Sequence, residues 1–371
     1  MATFSVLREV DVAAGPVAGL ALEVADLGAA DLRACLNAPD ILDLARVMPT
    51  RLIAPEPLDD IRPDEAVPGW GLKAIGAGAG RWTGAGVRVA VLDTGVSVTH
   101  PAFAGVSLSR RDFAGSGNDD AHGHGTHFAG CILGRPVDGR PVGAAPGVTE
   151  ALIAKVLPDS GPGRSDMLFD GLLWAAVERA RVVAFALAFD TPALARALVT
   201  EEDLPELLAA SVALEAYNAN LRLMERLLAR LQAAGGPVVV AAAGNDSRRT
   251  VSPDFETGVP APASARGVLS VAALTEVAPG LVTAPFSNTG ARIAAPGSGI
   301  VSAAPGGGLV ALNGTSSAAG LAAGTAALWW EALAGQGADA AMVADHMMRH
   351  ARGGKSASLD WGAGLVTAPP E

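Results

Sequence analysis

The sequence predicts a three-layer α/β/α domain with a mostly parallel sheet, preceded by a small α+β unit. Its 371 residues are 50% apolar and 18% charged, a balance that favours a large buried core over disorder. After about residue 62, apolar strand patterns alternate with helical ones, which is typical of a parallel sheet covered by helices on both faces. The first 61 residues lack this alternation, so we predict two units, residues 1–61 and residues 62–371.

The N-terminal unit is predicted to contain strands at residues 3–10 and 17–24, a short helix at residues 29–36 and an extended stretch at residues 41–53. A unit of this size buries too little apolar surface to be very stable alone. The stretch that follows is acidic, rich in proline and without apolar periodicity, which is typical of a linker. We therefore place the boundary near Pro63.

The second unit is predicted to alternate strands and helices. Strands are indicated at residues 86–92, 151–157, 182–188, 237–243 and 269–274, and helices at residues 124–133, 167–179 and 316–330. A helical insertion of two amphipathic helices is predicted at about residues 190–235, where apolar side chains recur at helical spacing. These positions are Leu204, Leu207, Leu208, Leu221, Met224, Leu227, Leu228 and Leu231. We expect this insertion to pack on the sheet rather than to bind a partner.

Charge and cysteine content narrow the function classes. The net charge is −11 and there is no basic run, so neither nucleic acid nor an anionic membrane is an expected partner. Two cysteines, Cys35 and Cys131, are too few for a disulfide framework, which favours reduced thiols in a cytoplasmic protein. The first ten residues include an acid and no continuous apolar stretch, unlike a secretory signal. The expected location is therefore cytoplasmic.

Four chemically distinct side chains stand at predicted strand ends or helix starts. Asp93 and Asn245 follow predicted strands, whereas His124 and Ser316 open predicted helices. A serine hydroxyl is a poor nucleophile until an imidazole takes its proton, and the imidazole needs a carboxylate to fix its tautomer. A helix N-terminus and an asparagine amide can both stabilise the oxyanion that then develops. The chain order Asp, His, Ser is one of the known triad orders, so the set predicts nucleophilic catalysis by a serine.

Over residues 62–371 the chain resembles the subtilisin-like serine peptidases, or subtilases. The matching motifs are Val-Ala-Val-Leu-Asp93-Thr-Gly, His124-Gly-Thr-His-Phe-Ala-Gly and Gly-Thr-Ser316, with Asn245 at the position of the family's oxyanion asparagine. The resemblance implies a serine endopeptidase that acts on peptide or protein substrates, with Ser316 as nucleophile, His124 as base and Asp93 as the orienting acid. The N-terminal unit resembles a shortened subtilase prodomain, a family element that acts as a folding chaperone and inhibitor.

The same resemblance implies a substrate groove between two strands. The residues expected to bind substrate are Gly161, Gly163, Ala186, Leu187, Ala188 and Gly244. Residues 186–188 stand where the family usually reads Ser-Leu-Gly, so their backbone is expected to pair with the substrate, opposite Gly161 and Gly163. Two departures lie beside the nucleophile, where Ser317 replaces the methionine and Gly320 replaces the proline of the family motif.

No cofactor and no metal are expected. The family's strong calcium site usually uses an acid after a His-Pro dipeptide and an Asn-rich loop, whereas this sequence has Ala102 and the arginine-containing residues 135–140. A metal-dependent hydrolase is an alternative, although it leaves Asp93, Asn245 and Ser316 unexplained. Its candidate ligands are Asp119, Asp120, His122, His124 and His127.

Two further alternatives concern activity and control. The altered surroundings of Ser316 and Ala186 are compatible with a subtilase-fold module that binds peptides without cleaving them. The extended stretch at residues 45–53 is predicted to act as an intramolecular inhibitor that occupies the groove like a product, paired with the strands near residues 161–163 and 186–188. The rival prediction is a structural N-terminal unit that never inhibits.

Overall fold

The computed structural model gives the conformation of most of the chain. It describes residues 1–10, 19–57, 69–277, 280–353 and 359–371. The predicted unit boundary at Pro63 lies outside the described residues. Among the described helices, none combines the length and the apolar character that crossing a bilayer requires.

The N-terminal unit begins with an antiparallel sheet. Strand β1 (Ala2–Glu9) lies between β2 (Leu20–Leu27) and β3 (Ile41–Arg46), and helix α1 (Ala29–Asn37) connects β2 to β3. Strand β4 (Pro49–Leu52) leaves this sheet and pairs with strands of the second unit. The predicted extended stretch at residues 41–53 is therefore two strands that belong to different sheets.

The large sheet of the second unit is mostly parallel. Its strands are β5 (Arg88–Asp93), β6 (Ser107–Asp112), β7 (Glu150–Lys155), β9 (Val182–Phe185), β11 (Val238–Ala242), β12 (Val268–Val277), β13 (Gly280–Thr283), β14 (Ile293–Pro296), β17 (Arg352–Gly353) and β18 (Gly364–Leu365). They are ordered β17–β18–β14–β12–β11–β9–β5–β7–β6, with β13 paired to β12. Neighbours are parallel except in the pairs β12–β13 and β17–β18.

Shorter strands lie outside the large sheet. Strands β8 (Gly163–Arg164) and β10 (Leu187–Phe189) flank β4, and β15 (Ile300–Ala303) forms an antiparallel pair with β16 (Leu309–Leu312). The predicted strand at residues 182–188 is thus two strands, because β9 stays in the large sheet and β10 turns away from it. The whole segment is buried, so its uniform apolar pattern did not mark the break.

Helices cover both faces of the large sheet. They are α2 (Trp70–Ile75), α3 (His124–Leu133), α4 (Ser165–Val177), α5 (Thr191–Thr200), α6 (Glu206–Ala233), α7 (Thr315–Leu333) and α8 (Ala340–Arg349). Successive residues of a strand point to opposite faces, so in β5 Val89 and Val91 pack with α3 and α7. Ala90 and Leu92 pack with α4 and α6 on the other face. The predicted three-layer α/β/α domain with a preceding α+β unit is confirmed.

The predicted helical insertion consists of α5 and α6. Helix α5 begins after Asp190, whose carboxylate accepts the Ala193 N–H at 2.9 Å and so caps the first turn. The expectation that Leu207 and Leu208 pack on the sheet is wrong, because these side chains are 83% and 51% exposed. The first buried leucine of α6 is Leu223, in the second half of the same helix.

The N-terminal unit packs on α6. Leu7, Ala45 and Met48 belong to the same buried apolar cluster as Leu223. Asn220 is fully buried, and its side-chain amide donates to the Arg46 carbonyl at 2.8 Å. The helical insertion is therefore the surface that receives the N-terminal sheet.

Candidate active site

Asp93 and His124 form a buried hydrogen-bonded pair. Asp93 is the last residue of β5 and His124 the first residue of α3, so both lie at the carboxyl edge of the parallel sheet. The Asp93 Oδ1 atom lies 2.8 Å from His124 Nδ1. Because a carboxylate accepts this bond, Nδ1 carries the proton and Nε2 is left as the acceptor.

Two carboxylates control the charge of the imidazole. Burial disfavours the imidazolium, but Asp93 and the more distant Asp120 favour it more strongly, so the pKa of His124 lies above its ordinary value. Asp120 is itself fixed, since its oxygens accept from the Gly123 N–H at 2.7 Å and from the Thr126 N–H at 2.8 Å. From the sequence, Asp120 was predicted only as a candidate metal ligand, so this role was missed.

Ser316 lies in the first turn of α7, which packs alongside α3. A Cβ atom on Gly320 would lie 3.2 Å from the Phe128 carbonyl oxygen, and one on Gly324 would lie 2.8 Å from that of Ile132. From the first contact to the second, the position advances by four residues in each helix. Continued four residues toward both N-termini, the same spacing would place Ser316 beside His124.

The acceptor atom of the imidazole is free for a serine proton. His124 Nε2 is buried and makes no hydrogen bond within the described residues. The Ser316 hydroxyl does not reach it in this structure, which fits the loose geometry that catalytic hydrogen bonds often have before a productive substrate is bound.

Asn245 presents an oriented amide donor. Its Oδ1 accepts from the Thr315 N–H at 2.9 Å and from the Thr315 hydroxyl at 2.8 Å. These two bonds fix the orientation of the amide. Nδ2 donates to the Ala54 carbonyl oxygen at 2.7 Å, and this carbonyl belongs to the N-terminal unit. A peptide carbonyl therefore already occupies the donor that faces the first turn of α7.

The N-terminal unit reaches Asn245 through a continuous backbone pairing. Strand β4 lies between β8 and β10 and is antiparallel to both. Thr50 pairs with Gly163 and Arg51 with Ala188, and the Ile53 N–H donates to the Ala186 carbonyl at 3.0 Å.

The segment continues past the site on the far side of Ala54. The Glu56 N–H donates to the Asn313 carbonyl at 2.9 Å, and the Asn313 side chain donates to the Pro57 carbonyl at 2.9 Å. Residues 49–57 therefore run through the whole groove. Asn313, which holds the far side, was not predicted from the sequence as a binding residue.

Two residues expected to bind substrate have other surroundings. Gly161 is exposed and lies before β8, so the strand that faces β4 begins only at Gly163. The Gly244 N–H donates to the Thr315 hydroxyl at 3.0 Å, and its carbonyl accepts from the Asn288 N–H. Both backbone groups of Gly244 are thus used to hold Asn245 in place, and neither is left for a substrate backbone.

The side chains proposed as metal ligands are engaged elsewhere. His127 Nε2 bonds to the Ile300 carbonyl at 3.0 Å, and burial lowers the pKa of His127 to about 4. Asp119 forms an ion pair with Arg110 at 2.7 Å, and His122 is exposed. Within the described ranges, no three histidine, cysteine or acidic side chains are grouped as a metal site would need.

The sequence is similar to a known protein family and to characterised members of it. A family model described as the subtilase family matches residues 84–364. Subtilisin DY from Bacillus licheniformis is 32% identical over 259 residues, which cover 69% of this chain and 81% of that protein. M-protease from Shouchella clausii is 30% identical over 344 residues, which cover 89% of this chain and 76% of that protein.

A solved structure has the same fold. The crystal structure of fervidolysin from Fervidobacterium pennivorans, described as a keratinolytic enzyme related to subtilisin, gives a TM-score of 0.70 at 22% identity. The match covers 99% of this chain but 60% of fervidolysin, so this chain spans less than two thirds of that protein. At this identity the likeness concerns the fold.

Proposed function

The chain belongs to the subtilase family and is a subtilisin-like serine endopeptidase, and we propose that Ser316 is its nucleophile and His124 its general base. The observation that carries this assignment is the bonded Asp93–His124 pair beside the first turn of α7, where the Asn245 amide already holds a peptide carbonyl.

Each residue has one task in the proposed reaction. The Ser316 hydroxyl attacks the peptide carbonyl while His124 Nε2 takes its proton, and Asp93 stabilises the imidazolium that forms. The Asn245 amide and the Ser316 backbone N–H stabilise the oxyanion. His124 then protonates the leaving amine, and a water molecule hydrolyses the acyl-enzyme by the same proton transfers in reverse.

A fluorophosphonate probe tests the nucleophile. A recognition sequence for a sequence-specific protease is inserted between Pro57 and Gly69, so that the backbone can be cleaved between the N-terminal unit and the rest of the chain. We call the product the cut chain. We expect the probe to label the cut chain, and the Ser316→Ala variant to remain unlabelled.

Two other buried serines provide matched controls. Ser317 is the next residue of α7, and Ser165 accepts the Met48 N–H at 3.1 Å in the N-terminal unit's docking region. Ser317→Ala and Ser165→Ala should both keep the label. Labelling of Ser316→Ala, or its loss in either control alone, would contradict the assignment.

We also propose that the N-terminal unit inhibits the enzyme within the same chain. Support comes from the pairing of β4 with both groove strands and from the contact of the Ala54 carbonyl with Asn245. An intact chain should hydrolyse a peptide slowly at any protein concentration, because the inhibitor is tethered. The cut chain should become more active per molecule on dilution. Equal specific activity of the intact and the diluted cut chain would favour the purely structural role.

We propose that Pro55 protects the bound segment from cleavage. The peptide bond whose carbonyl is held by Asn245 joins Ala54 to Pro55. The proline nitrogen carries a ring carbon instead of a hydrogen. This carbon crowds the space through which His124 must protonate the leaving nitrogen. Pro55→Ala should therefore produce a fragment that begins at residue 55, detectable by mass spectrometry, whereas Pro57→Ala should leave the chain intact. An uncut Pro55→Ala chain would show that proline is not the block.

A cytoplasmic location remains our proposal from the cysteine content. Cys35 and Cys131 are both free thiols, and Cys35 is partly accessible, which suits a reducing compartment. Immunodetection in cell fractions tests it, and recovery of the protein from the medium would contradict it.

A further inference from the structure

Asp246 pairs with a side chain of the segment that fills the groove. Its Oδ1 atom lies 2.7 Å from Arg51 Nη2. Arg51 belongs to β4, where its backbone pairs with Ala188, and it precedes Ala54 by three residues. The ion pair is therefore a contact inside the substrate groove.

The carboxylate of Asp246 is held in position by a buried neighbour. Its Oδ2 accepts from Asn288 Nδ2 at 3.0 Å, and the Asp246 N–H donates to Asn288 Oδ1 at 2.9 Å. Asn288 is fully buried, and its own N–H donates to the Gly244 carbonyl. One carboxylate oxygen is thus fixed by the fold, and the other is directed at the groove.

The arginines that follow Asp246 in the chain do not neutralise it. Arg249 is paired with Glu256 at 2.9 Å and with Asp360 at 2.7 Å. Arg248 lies 3.5 Å from Glu56, which follows Ala54 by two residues. The loop therefore presents a negative charge to the segment before Ala54 and a positive charge to the segment after it.

We propose that Asp246 is a specificity-determining residue that selects peptides with a basic side chain three residues before the carbonyl held by Asn245. This inference rests on the proposed peptidase function and names the substrate class of the same groove. Arg248 adds a weaker preference for an acidic side chain two residues after that carbonyl, because its contact with Glu56 is longer.

Quenched fluorescent peptides measure the preference. They copy residues 49–57 with alanine at position 55, and they carry arginine, lysine, glutamine or glutamate at position 51. For the cut chain, kcat/KM should be higher with arginine than with glutamine by roughly five-fold, the upper range for a half-exposed ion pair. The difference should appear mainly in KM, because the pair is remote from the reacting atoms. It should shrink as salt is raised.

Variants of the loop decide whether Asp246 is responsible. Asp246→Asn should abolish the preference for arginine over glutamine, and Asp246→Lys should favour glutamate. Asp254→Asn is the matched control, since it removes an exposed carboxylate from the same loop and should leave the preference in place. A preference that survives Asp246→Asn would overturn the proposal.

Fluorophosphonate labelling separates this inference from the function on which it rests. An unlabelled wild-type cut chain, diluted until the N-terminal unit has dissociated, would refute the assignment of Ser316. A labelled Asp246→Asn variant with an unchanged arginine preference would refute the specificity role alone.

Discussion

The N-terminal unit contacts two surfaces of the enzyme that recognise it in different ways. In the groove, β4 is held mainly by backbone hydrogen bonds to β8 and β10, which any extended peptide can make. On α6, the unit is held by side chains, among them the buried Asn220 amide and the Arg226–Asp43 ion pair at 3.0 Å. The groove is thus suited to exchange one peptide for another, whereas the α6 surface is specific for this unit.

The largest effect is expected from a substitution that removes catalysis but leaves the binding of the N-terminal unit intact. Ser316→Ala should lower kcat of the cut chain on the order of 10⁶-fold, the scale seen when a triad serine is removed. The affinity of the severed N-terminal unit should not fall, because the substitution touches neither β4 nor α6. Rate measurements check the loss of kcat, and a binding titration checks the affinity of the severed N-terminal unit. A large loss of affinity would show that the surfaces are not independent.

Removing the oxyanion donor should affect both chemistry and the groove. Asn245→Ala should lower kcat by roughly 10²–10³-fold. It also deletes the bond to the Ala54 carbonyl, so the severed unit should dissociate faster. Steady-state kinetics and the dissociation rate measure the two effects. Unchanged dissociation would indicate that the Ala54 contact contributes nothing to inhibition.

A substitution on α6 should weaken the binding of the N-terminal unit and leave kcat unchanged. Asn220→Ala removes the donor to the partly buried Arg46 carbonyl, which costs about 1–3 kcal/mol and should weaken binding of the severed unit by roughly 5- to 150-fold. The fully dissociated enzyme should keep its kcat. Asn218→Ala is the matched control, because Asn218 is exposed on the same helix. Equal effects of the two variants would refute the role of Asn220.

The smallest expected effect is a shift in the pH profile. Activity requires the neutral imidazole, so kcat/KM should fall as pH decreases through the pKa of His124, which lies above its ordinary value of 6.5. Asp120→Asn removes one of the charges that raise this pKa, so the acidic limb should move to lower pH. Asp119→Asn should leave the limb in place, because Asp119 is largely exposed and paired with Arg110. An unmoved limb in Asp120→Asn would limit Asp120 to a structural role.

Local patterns predicted the elements that carry the chemistry. The helix that begins at His124 and ends at Leu133 has the predicted bounds, and the strand that leads to Asp93 is present. Both depend on periodicity and on residues adjacent in the chain. The same kind of pattern failed at residues 182–188, because a uniformly buried segment gives no sign of where a strand changes sheets.

Contacts between distant residues were not predictable in the same way. Asn220 and Arg46 are separated by 174 positions, and Arg51 and Asp246 by 195. The loop after Asn245 contains both acids and arginines, so the sequence alone does not fix the charge that it presents to the groove. Only the packed chain shows that Arg249 is paired elsewhere and that Asp246 faces the groove.

The sequence by itself therefore determined the fold class, the strand and helix ends that present Asp93, His124, Asn245 and Ser316, and the family. The tertiary structure decided which side chains those ends bring together, how β4 lies in the groove and which charge faces it. The physical reason is that secondary structure follows from short-range periodicity and capping, whereas a binding groove is made by segments whose proximity depends on packing of the entire core.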